Sequence, residues 1–428
     1  MDLTKKSVTL VGLGESNKAL YSHLSKNGIV PSIRNKEPIS VPLGAHLITD
    51  NYLNVCEDVC FRSPVIRPDR IRTNGTITTE VAYALGITRG KKIGVTGSDG
   101  KTTTSTLIYK MLEADGKDAT LCGNIGTPCI KYAEESTDKS YTVCELSSFQ
   151  LMDMTPDLEL GIITNISENH LDWHTSMREY VEAKAHILMN ARISLLNLDN
   201  PYTKEMITPT KPCVLFSGQD LSLARIDAHH LVYIKQNAIW CDGVRVIALD
   251  KIRMRGKFNV SNAQCAIGAL WDYVSHDAIE GTLRTFSGVS GRMEKIAEIN
   301  GVTFFSSSID STPSRTIATL SAMDKPKCIL ILGGYDKGVS YAPLADATRG
   351  IKLAVLCGAN SDKIEREIKN SAPILRAHTL NEATRLAYNN ASEGDTVLLS
   401  PASASFDMFK NYIDRENEFK KGVNSLNG

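Results

Sequence analysis

The sequence predicts an α/β protein of three domains, at residues 1–90, 91–287 and 288–428 of a 428-residue chain. Three observations carry that reading. Short apolar strands alternate with helical stretches along the chain, which is the pattern of parallel, doubly wound sheets. Strand, glycine turn and helix follow one another at Ser7–Asn27 and again at Lys92–Ala114. At about 100–200 residues per domain, the length accommodates two to four domains.

The first domain opens with a strand at Ser7–Val11, the turn Gly12-Leu13-Gly14 and a helix through Asn17–Asn27. A lone G-x-G suits a nucleotide site or a tight turn that packs a helix on a sheet. The domain reads as Rossmann-like and ends near Gly90, where Arg89-Gly90-Lys91-Lys92 is expected to be an exposed linker. The second begins with a strand at Lys92–Thr96, a glycine loop and a helix over Thr102–Ala114. Strands are expected at Tyr141–Glu145, Leu160–Asn165 and Ser194–Asn197. Residues 213–255 hold short strands and turns, read as a small antiparallel insert, and a helix follows at Val260–Val274. The third domain is a second Rossmann-like unit. Its strands, at Val302–Ser306, Cys328–Leu332, Ala354–Cys357 and Thr396–Leu399, alternate with helices at Ser314–Ala322, Lys363–Lys369, Asn381–Ala391 and Phe406–Leu426.

Composition excludes several classes. The hydrophobic fraction is 42% and the charged fraction 22%, ordinary for a soluble globular protein. The 48 basic and 48 acidic side chains balance, which argues against nucleic-acid binding, since that needs a basic surface. A local basic site for a phosphorylated ligand remains compatible. The ten cysteines form no C-x-x-C pair. Cys56 and Cys60 are four apart, with no second ligand pair at zinc-finger spacing. Many of the others sit beside apolar residues, as in Val143-Cys144 and Leu356-Cys357, and read as buried reduced thiols. The N-terminus MDLTKKSVTLVGLG has a short apolar run and no cleavage site, so no signal peptide is expected. No run reaches the ~18–20 apolar residues of a bilayer span. The expectation is a cytoplasmic monomer that binds neither nucleic acid nor membrane.

The chemistry is concentrated in GVTGSDGKTTT, Gly94 to Thr104. The usual phosphate loop, G-x-x-x-x-G-K-[ST], would put its first glycine where Val95 stands. Here the glycines are Gly97 and Gly100. Backbone amides of Gly97, Ser98, Asp99 and Gly100, with the positive end of the following helix, suit phosphates. Lys101 can reach terminal phosphates, and Thr102 or Thr103 can meet Mg²⁺. The strand before and the helix after supply the context of a P-loop-type ATPase domain. A chance G-K-T at a helix start is the bland alternative.

Residues 96–103, TGSDGKTT, resemble the loop of the Mur ligase superfamily, whose first glycine lies three residues before the second. Gly123-Asn124-Ile125-Gly126 is similar to its G-N-x-G turn, and residues 165–172, NISENHLD, to its N-x-x-x-D-H-x-D segment. Lys184 matches a family lysine, and Asn259-Val260-Ser261-Asn262-Ala263 resembles H-N-x-x-N-A. Residues 145–150, ELSSFQ, and 399–409, LSPASASFDMF, resemble the D-glutamate-adding branch. The matches run in order over nearly the whole chain.

The resemblance implies an ATP-dependent ligase of cytoplasmic peptidoglycan precursor synthesis. It would join D-glutamate to UDP-N-acetylmuramoyl-L-alanine through an acyl phosphate. It implies Lys101, Glu145, His170 and Lys184 as catalytic residues, and ATP with two Mg²⁺ held by Thr102, Glu145, His170 (with Asp172) and Lys184. Lys184 would be carbamylated by CO₂; read bare, its helix makes it an exposed charge. Asn259, Asn262 and Arg292 would hold the nucleotide. Asn259 and Asn262, three apart, can share a helix face. Asn124 would contact the muramoyl substrate, Ser147 would lie on the substrate side, and Lys337, Ser405 and Phe406 would meet D-glutamate.

Some positions depart from the family pattern. Gly291-Arg292-Met293-Glu294 lacks a histidine at its first position, and Ser307 stands where an acid near the ribose is usual, with Asp310 as the nearest substitute. Ile309 replaces a lysine that some members use for D-glutamate; Arg315 is a candidate replacement as a bidentate fork. Val65 stands where glycine is common. Arg34 and Lys36 suit a diphosphate or an exposed loop equally. The competing readings are another Mur or folylpolyglutamate-type ligase, and a non-catalytic nucleotide-binding relative.

Overall fold

In the computed structural model, residues 1–42, 44–125, 127–171, 173–254 and 256–427 are described. Gly126 and Asp172, two of the motif positions above, lie outside them. The chain divides into two compact units, Met1–Ile252 with Phe258–Thr285, and Arg253–Lys257 with Phe286–Gly428.

The first unit holds two large sheets and a two-stranded one, Asn54–Val55 with Arg72–Thr73. One has five strands in the order Leu47–Ile48, Ser32–Arg34, Val8–Val11, Val59–Arg62, Thr76–Thr78, all parallel. Val8–Val11 is buried along its whole length, the mark of a parallel strand covered on both faces. Gly12 turns the chain at φ 80°, and a Cβ there would lie 2.9 Å from Ser63 Cβ. Asn17 Nδ2 donates to Gly12 O at 2.7 Å and Phe61 O at 3.2 Å, tying the helix Glu15–Lys26 to the sheet.

The second sheet has nine strands. Their order is Val244–Ala248, Ala238–Cys241, His230–Lys235, Cys213–Phe216, Ala191–Asn197, Leu158–Ile163, Lys91–Thr96, Tyr141–Glu145, Ala119–Gly123. The antiparallel part is present and narrower than expected. Cys213–Phe216 runs parallel to both neighbours, and only the pairings within 230–248 are antiparallel. There the turns Gln236-Asn237 and Asp242-Gly243 have positive φ, as tight hairpins require. The expected linker at residues 89–92 is also absent as such. Lys91 already begins a strand, and a Cβ on Gly90 would lie 2.3 Å from Ser140 O.

Arg62 fastens the first sheet to the segment that follows Glu145. Its guanidinium is fully buried. Nε donates to Asp153 Oδ2 at 2.9 Å, Nη2 to Phe149 O at 2.7 Å, and Nη1 to Pro64 O and Ile66 O. Arg62→Ala leaves a carboxylate and three carbonyls without their donor. It is expected to destabilise the first unit by about 3 kcal/mol, the low end for a broken buried pair because Asp153 keeps some water. A clear fall in the thermal midpoint checks this; an unchanged midpoint would contradict it.

The second unit carries six strands in the order Glu294–Ile299, Val302–Ser306, Thr396–Leu399, Cys328–Leu332, Leu353–Cys357, Ile374–Ala377. Only the pair Glu294–Ile299 with Val302–Ser306 is antiparallel. Sequence reading missed the first strand, because EKIAEI is a partly solvated edge with little apolar run. The last helix begins at Tyr412, six residues later than expected. Asn411 sets that start by accepting from the amides of Ile413 and Asp414, both at 2.9 Å.

Candidate active site

Strand Lys91–Thr96 lies inside the nine-stranded sheet between Tyr141–Glu145 and Leu158–Ile163. The carboxyl ends of these parallel strands meet at one rim, where ligand sites of open α/β sheets form. Gly97 has φ 152° and Gly100 φ 80°. A Cβ on Gly97 would lie 1.9 Å from Thr164 Oγ1, and one on Gly100 2.2 Å from Asn262 Oδ1. The glycines thus let segment 164–167 and the helix Lys257–Leu270 close on the loop. Ser98 N–H donates to Asn165 O at 2.9 Å, Asp99 N–H to Asn165 Oδ1 at 3.0 Å, and the Ser98 hydroxyl to Ser167 O at 2.9 Å. These bonds hold Ser98 and Asp99 from behind.

The helix Lys101–Ala114 starts directly after Gly100. Its first amides lack partners one turn back, so its start suits an anion. Gly100→Ala is expected to abolish nucleotide binding, since the added methyl collides with Asn262 at a φ that alanine rarely adopts. Calorimetry with ATP checks this, and wild-type affinity would contradict it.

Glu145 ends its strand and is buried. Its Oε2 accepts from Thr102 Oγ1 at 2.7 Å and its Oε1 from Asn124 Nδ2 at 2.8 Å. Three expected site residues therefore share one carboxylate. Thr103 is buried in the same first helical turn.

Lys184 is not an exposed charge. It is 1% exposed on the helix Met177–Met189, and its Nζ donates to Gly97 O at 2.8 Å. Lys101 Nζ donates to the same carbonyl at 2.8 Å and to Ser98 O at 3.0 Å. Burial, then the nearby Lys101 charge, holds the Lys184 amine well below the usual lysine range. Its Nζ also lies 4.7 Å from the centre of the Tyr180 ring, whose hydroxyl meets Ser98 Oγ at 2.8 Å. Asn259 and Asn262 are both buried, and Asn262 Nδ2 donates to Asn259 Oδ1 at 3.2 Å.

His170 is exposed at φ 56°, its ring 5.0 Å from that of Phe149; Asp172 lies outside the described residues. Ser147 has a structural use that sequence reading missed. With Gln150 it forms a capping box on the short helix Ser148–Leu151, so S-S-F-Q encodes a helix start. His174 was missed too. It is buried, its Nε2 meets Ser148 Oγ at 2.9 Å, and burial lowers its pKa.

In the second unit, Arg292 is half-buried beside Gly291, whose φ is 71°. A Cβ at Gly291 would lie 2.8 Å from Glu416 Oε2, which gives the missing histidine a local reason. Ser307 accepts from Met293 N–H at 3.3 Å. Asp310, the nearest acid, is already engaged within the second unit. It is buried, and its Oδ2 accepts from Thr319 Oγ1 and Ser400 Oγ, both at 2.7 Å. Arg315 is half-buried on the helix Pro313–Leu320.

Lys337 is exposed in the loop after Cys328–Leu332, while Ser405 is buried and Phe406 exposed in the loop after Thr396–Leu399. The two loops join where Tyr335 N–H donates to Ala404 O at 2.8 Å. Arg415, which no motif flagged, braces the second loop. Buried, it donates to Ser403 O, Ala404 O and Ser308 O.

Two family models match the chain: the Mur ligase middle domain at residues 95–270, and the glutamate ligase domain of Mur ligases at residues 291–403. The UDP-N-acetylmuramoylalanine–D-glutamate ligase of Ruminiclostridium cellulolyticum is 36% identical over 470 residues, covering 99% of this chain and 98% of its own. That of Clostridium beijerinckii is 38% identical over 453 residues, covering 98% and 97%. Among solved structures, the UDP-N-acetylmuramate–alanine ligase of Thermotoga maritima is similar in fold, with TM-score 0.65 and 19% identity over 98% of this chain and 100% of that one. The MurF ligase of the same organism, in complex with ADP, has TM-score 0.60 and 12% identity over 100% and 97%.

Proposed function

We infer the reaction from one premise: the chain belongs to the UDP-N-acetylmuramoylalanine–D-glutamate ligase family of the Mur ligases. It is an ATP-dependent ligase that adds D-glutamate to UDP-N-acetylmuramoyl-L-alanine in peptidoglycan precursor synthesis. Identity over nearly the full length sets aside the competing readings, a different superfamily ligase and a non-catalytic relative.

The observation that carries the mechanism is the loop carbonyl of Gly97, bonded at 2.8 Å by both Lys101 and Lys184. Two lysine side chains thus converge on one carbonyl of the phosphate loop. In the first step a carboxylate oxygen of the muramoyl-L-alanine attacks the γ-phosphorus of ATP, and ADP leaves. In the second the D-glutamate amine attacks the acyl carbon, phosphate leaves and the nitrogen loses a proton. Negative charge gathers on the phosphoryl group in the first step. Lys101 would turn from the loop carbonyls to that charge, as a positioned cation. Asn124 would orient the muramoyl end, and Asn259, Asn262 and Arg292 the nucleotide. Lys337, Ser405, Phe406 and Arg315 would receive D-glutamate, and Ser147 would fix the segment that follows Glu145.

Mg²⁺ fits part of this site. Thr102 and Glu145 offer touching hard oxygens, which that ion prefers. Those two residues would hold one ion, and His170 with Lys184 a second. Bound there, the ions would supply positive charge to the phosphate oxygens. Lys184 can serve there only as an anion; burial keeps its amine neutral, and a neutral amine adds to CO₂, forming an N–C bond and releasing a proton, to give a carbamate.

We assign residues 1–90 to the UDP end, 91–287 to ATP and 288–428 to the amino acid; the five-, nine- and six-stranded sheets fall one in each range. Among the described residues, no helix is long and apolar enough to cross a membrane. The proposed setting is the cytoplasm, as a monomer whose partners are its substrates rather than nucleic acid or membrane. The direct test is mass spectrometry of the product from ATP, Mg²⁺, UDP-N-acetylmuramoyl-L-alanine and D-glutamate. Addition of one glutamate per ADP formed is expected; ADP without that addition would contradict the reading.

A further inference from the structure

Away from the phosphate loop, two consecutive histidines converge on one carboxylate. His229 Nε2 lies 3.1 Å and His230 Nε2 2.8 Å from Asp272 Oδ2. Neighbours along an extended strand ordinarily point to opposite sides. Here His229 sits just before the strand His230–Lys235, and both rings reach the turn after the helix Lys257–Leu270. On its other side, His230 Nδ1 lies 2.6 Å from Asp242 Oδ2. Asp242 is held in turn: it occupies the hairpin turn at φ 48°, and its Oδ1 accepts from Leu231 N–H at 2.8 Å.

Two imidazoles and two carboxylates are gathered here, with the rings of His229 and His230 4.4 Å apart centre to centre. One divalent ion between the two Nε2 atoms and Asp272 Oδ2 would offset the charge of the carboxylates. The donor atoms of His229, His230 and Asp272 all lie within 4.8 Å of one another. Bonds of about 2.0–2.2 Å to nitrogen and oxygen give donor separations of roughly 3.3–3.5 Å in a tetrahedron, so the two histidine–Asp272 pairs, at 3.1 and 2.8 Å, need open only slightly. Asp242 takes the place of the outer carboxylate that orients a metal-bound histidine.

We propose that His229, His230 and Asp272 form a binding site for a divalent transition metal of the Zn²⁺ class, with Asp242 orienting His230. The donor set of two imidazoles and a carboxylate selects Zn²⁺ or Co²⁺ over Mg²⁺. The ion would clasp the hairpin at 230–248 to the end of the helix that carries Asn259 and Asn262.

The test uses untagged full-length protein, stripped with chelator and titrated with Co²⁺. One Co²⁺ per chain is expected to survive dialysis, with weak visible bands and no thiolate charge-transfer band, and excess Mg²⁺ is not expected to displace it. Asp242→Asn should weaken binding by about 10–100-fold. His230→Gln should abolish it, and the more exposed His229→Gln should abolish it without shifting the melting of the metal-free protein. Zn²⁺ should raise the melting temperature of wild type only. Cobalt that dialyses away, or equal affinity in the histidine variants, would overturn the site. So would a charge-transfer band, which would place the metal on the buried Cys122, Cys129 and Cys144 instead.

Discussion

Lys184→Met is expected to lower phosphate release by about 10²–10³-fold, the scale of one lost electrostatic group in a water-excluded site. The variant should melt no earlier than wild type. Lys184 is buried in a neutral-favouring setting, and replacing such a group with an apolar one of similar length is often neutral or stabilising. The sign of the pH effect follows from the depressed pKa. Below the unfolded value of 10.5 the unfolded chain holds a proton that the folded site resists, which penalises folding. That penalty fades as pH rises toward 10.5, so any melting advantage of Lys184→Met should shrink over the same range. If Lys184 acts as a carbamate, wild-type activity should fall in CO₂-free buffer and return with bicarbonate, while the variant ignores both. Full activity of Lys184→Met would remove this residue from the mechanism.

Glu145→Gln should lower the rate by a similar factor of about 10²–10³ and raise the Mg²⁺ concentration needed for half-maximal rate. The change keeps the shape of the side chain and removes its charge. It also turns an N–H₂ toward Thr102 or Asn124, each of which now donates to Glu145. An unaltered Mg²⁺ dependence would show that this carboxylate serves only to hold Thr102 and Asn124 in place. Circular dichroism separates either result from unfolding.

Much of this was legible in the sequence, for identifiable reasons. Strands such as Tyr141–Glu145 and Cys328–Leu332 are apolar runs bounded by glycine or polar turns, and they lie where the pattern put them. The loop 97–100 was legible because its glycines answer to a backbone need: no Cβ fits at Gly97 or Gly100.

Burial of charge was harder to read. Lys184, Arg62 and Arg415 look like solvated cations, yet each is buried and bonded to carbonyls distant in sequence. The same blindness affected Asp310, which seemed free for a nucleotide and is taken up by Thr319 and Ser400. The last helix starts later than its sequence pattern suggests because Asn411, inside that pattern, acts as a strong cap. The His229–Asp272 cluster joins residues 43 apart, a pairing that only the fold creates.

The most direct measurement is phosphate release from ATP and Mg²⁺ with UDP-N-acetylmuramoyl-L-alanine, comparing D-glutamate with L-glutamate, L-lysine and meso-diaminopimelate. Release with D-glutamate alone is the predicted result, and it would also show that Ser307 is tolerated where an acid is usual. Equal release with L-glutamate, or none with any of the four from protein that still binds ATP, would contradict the account.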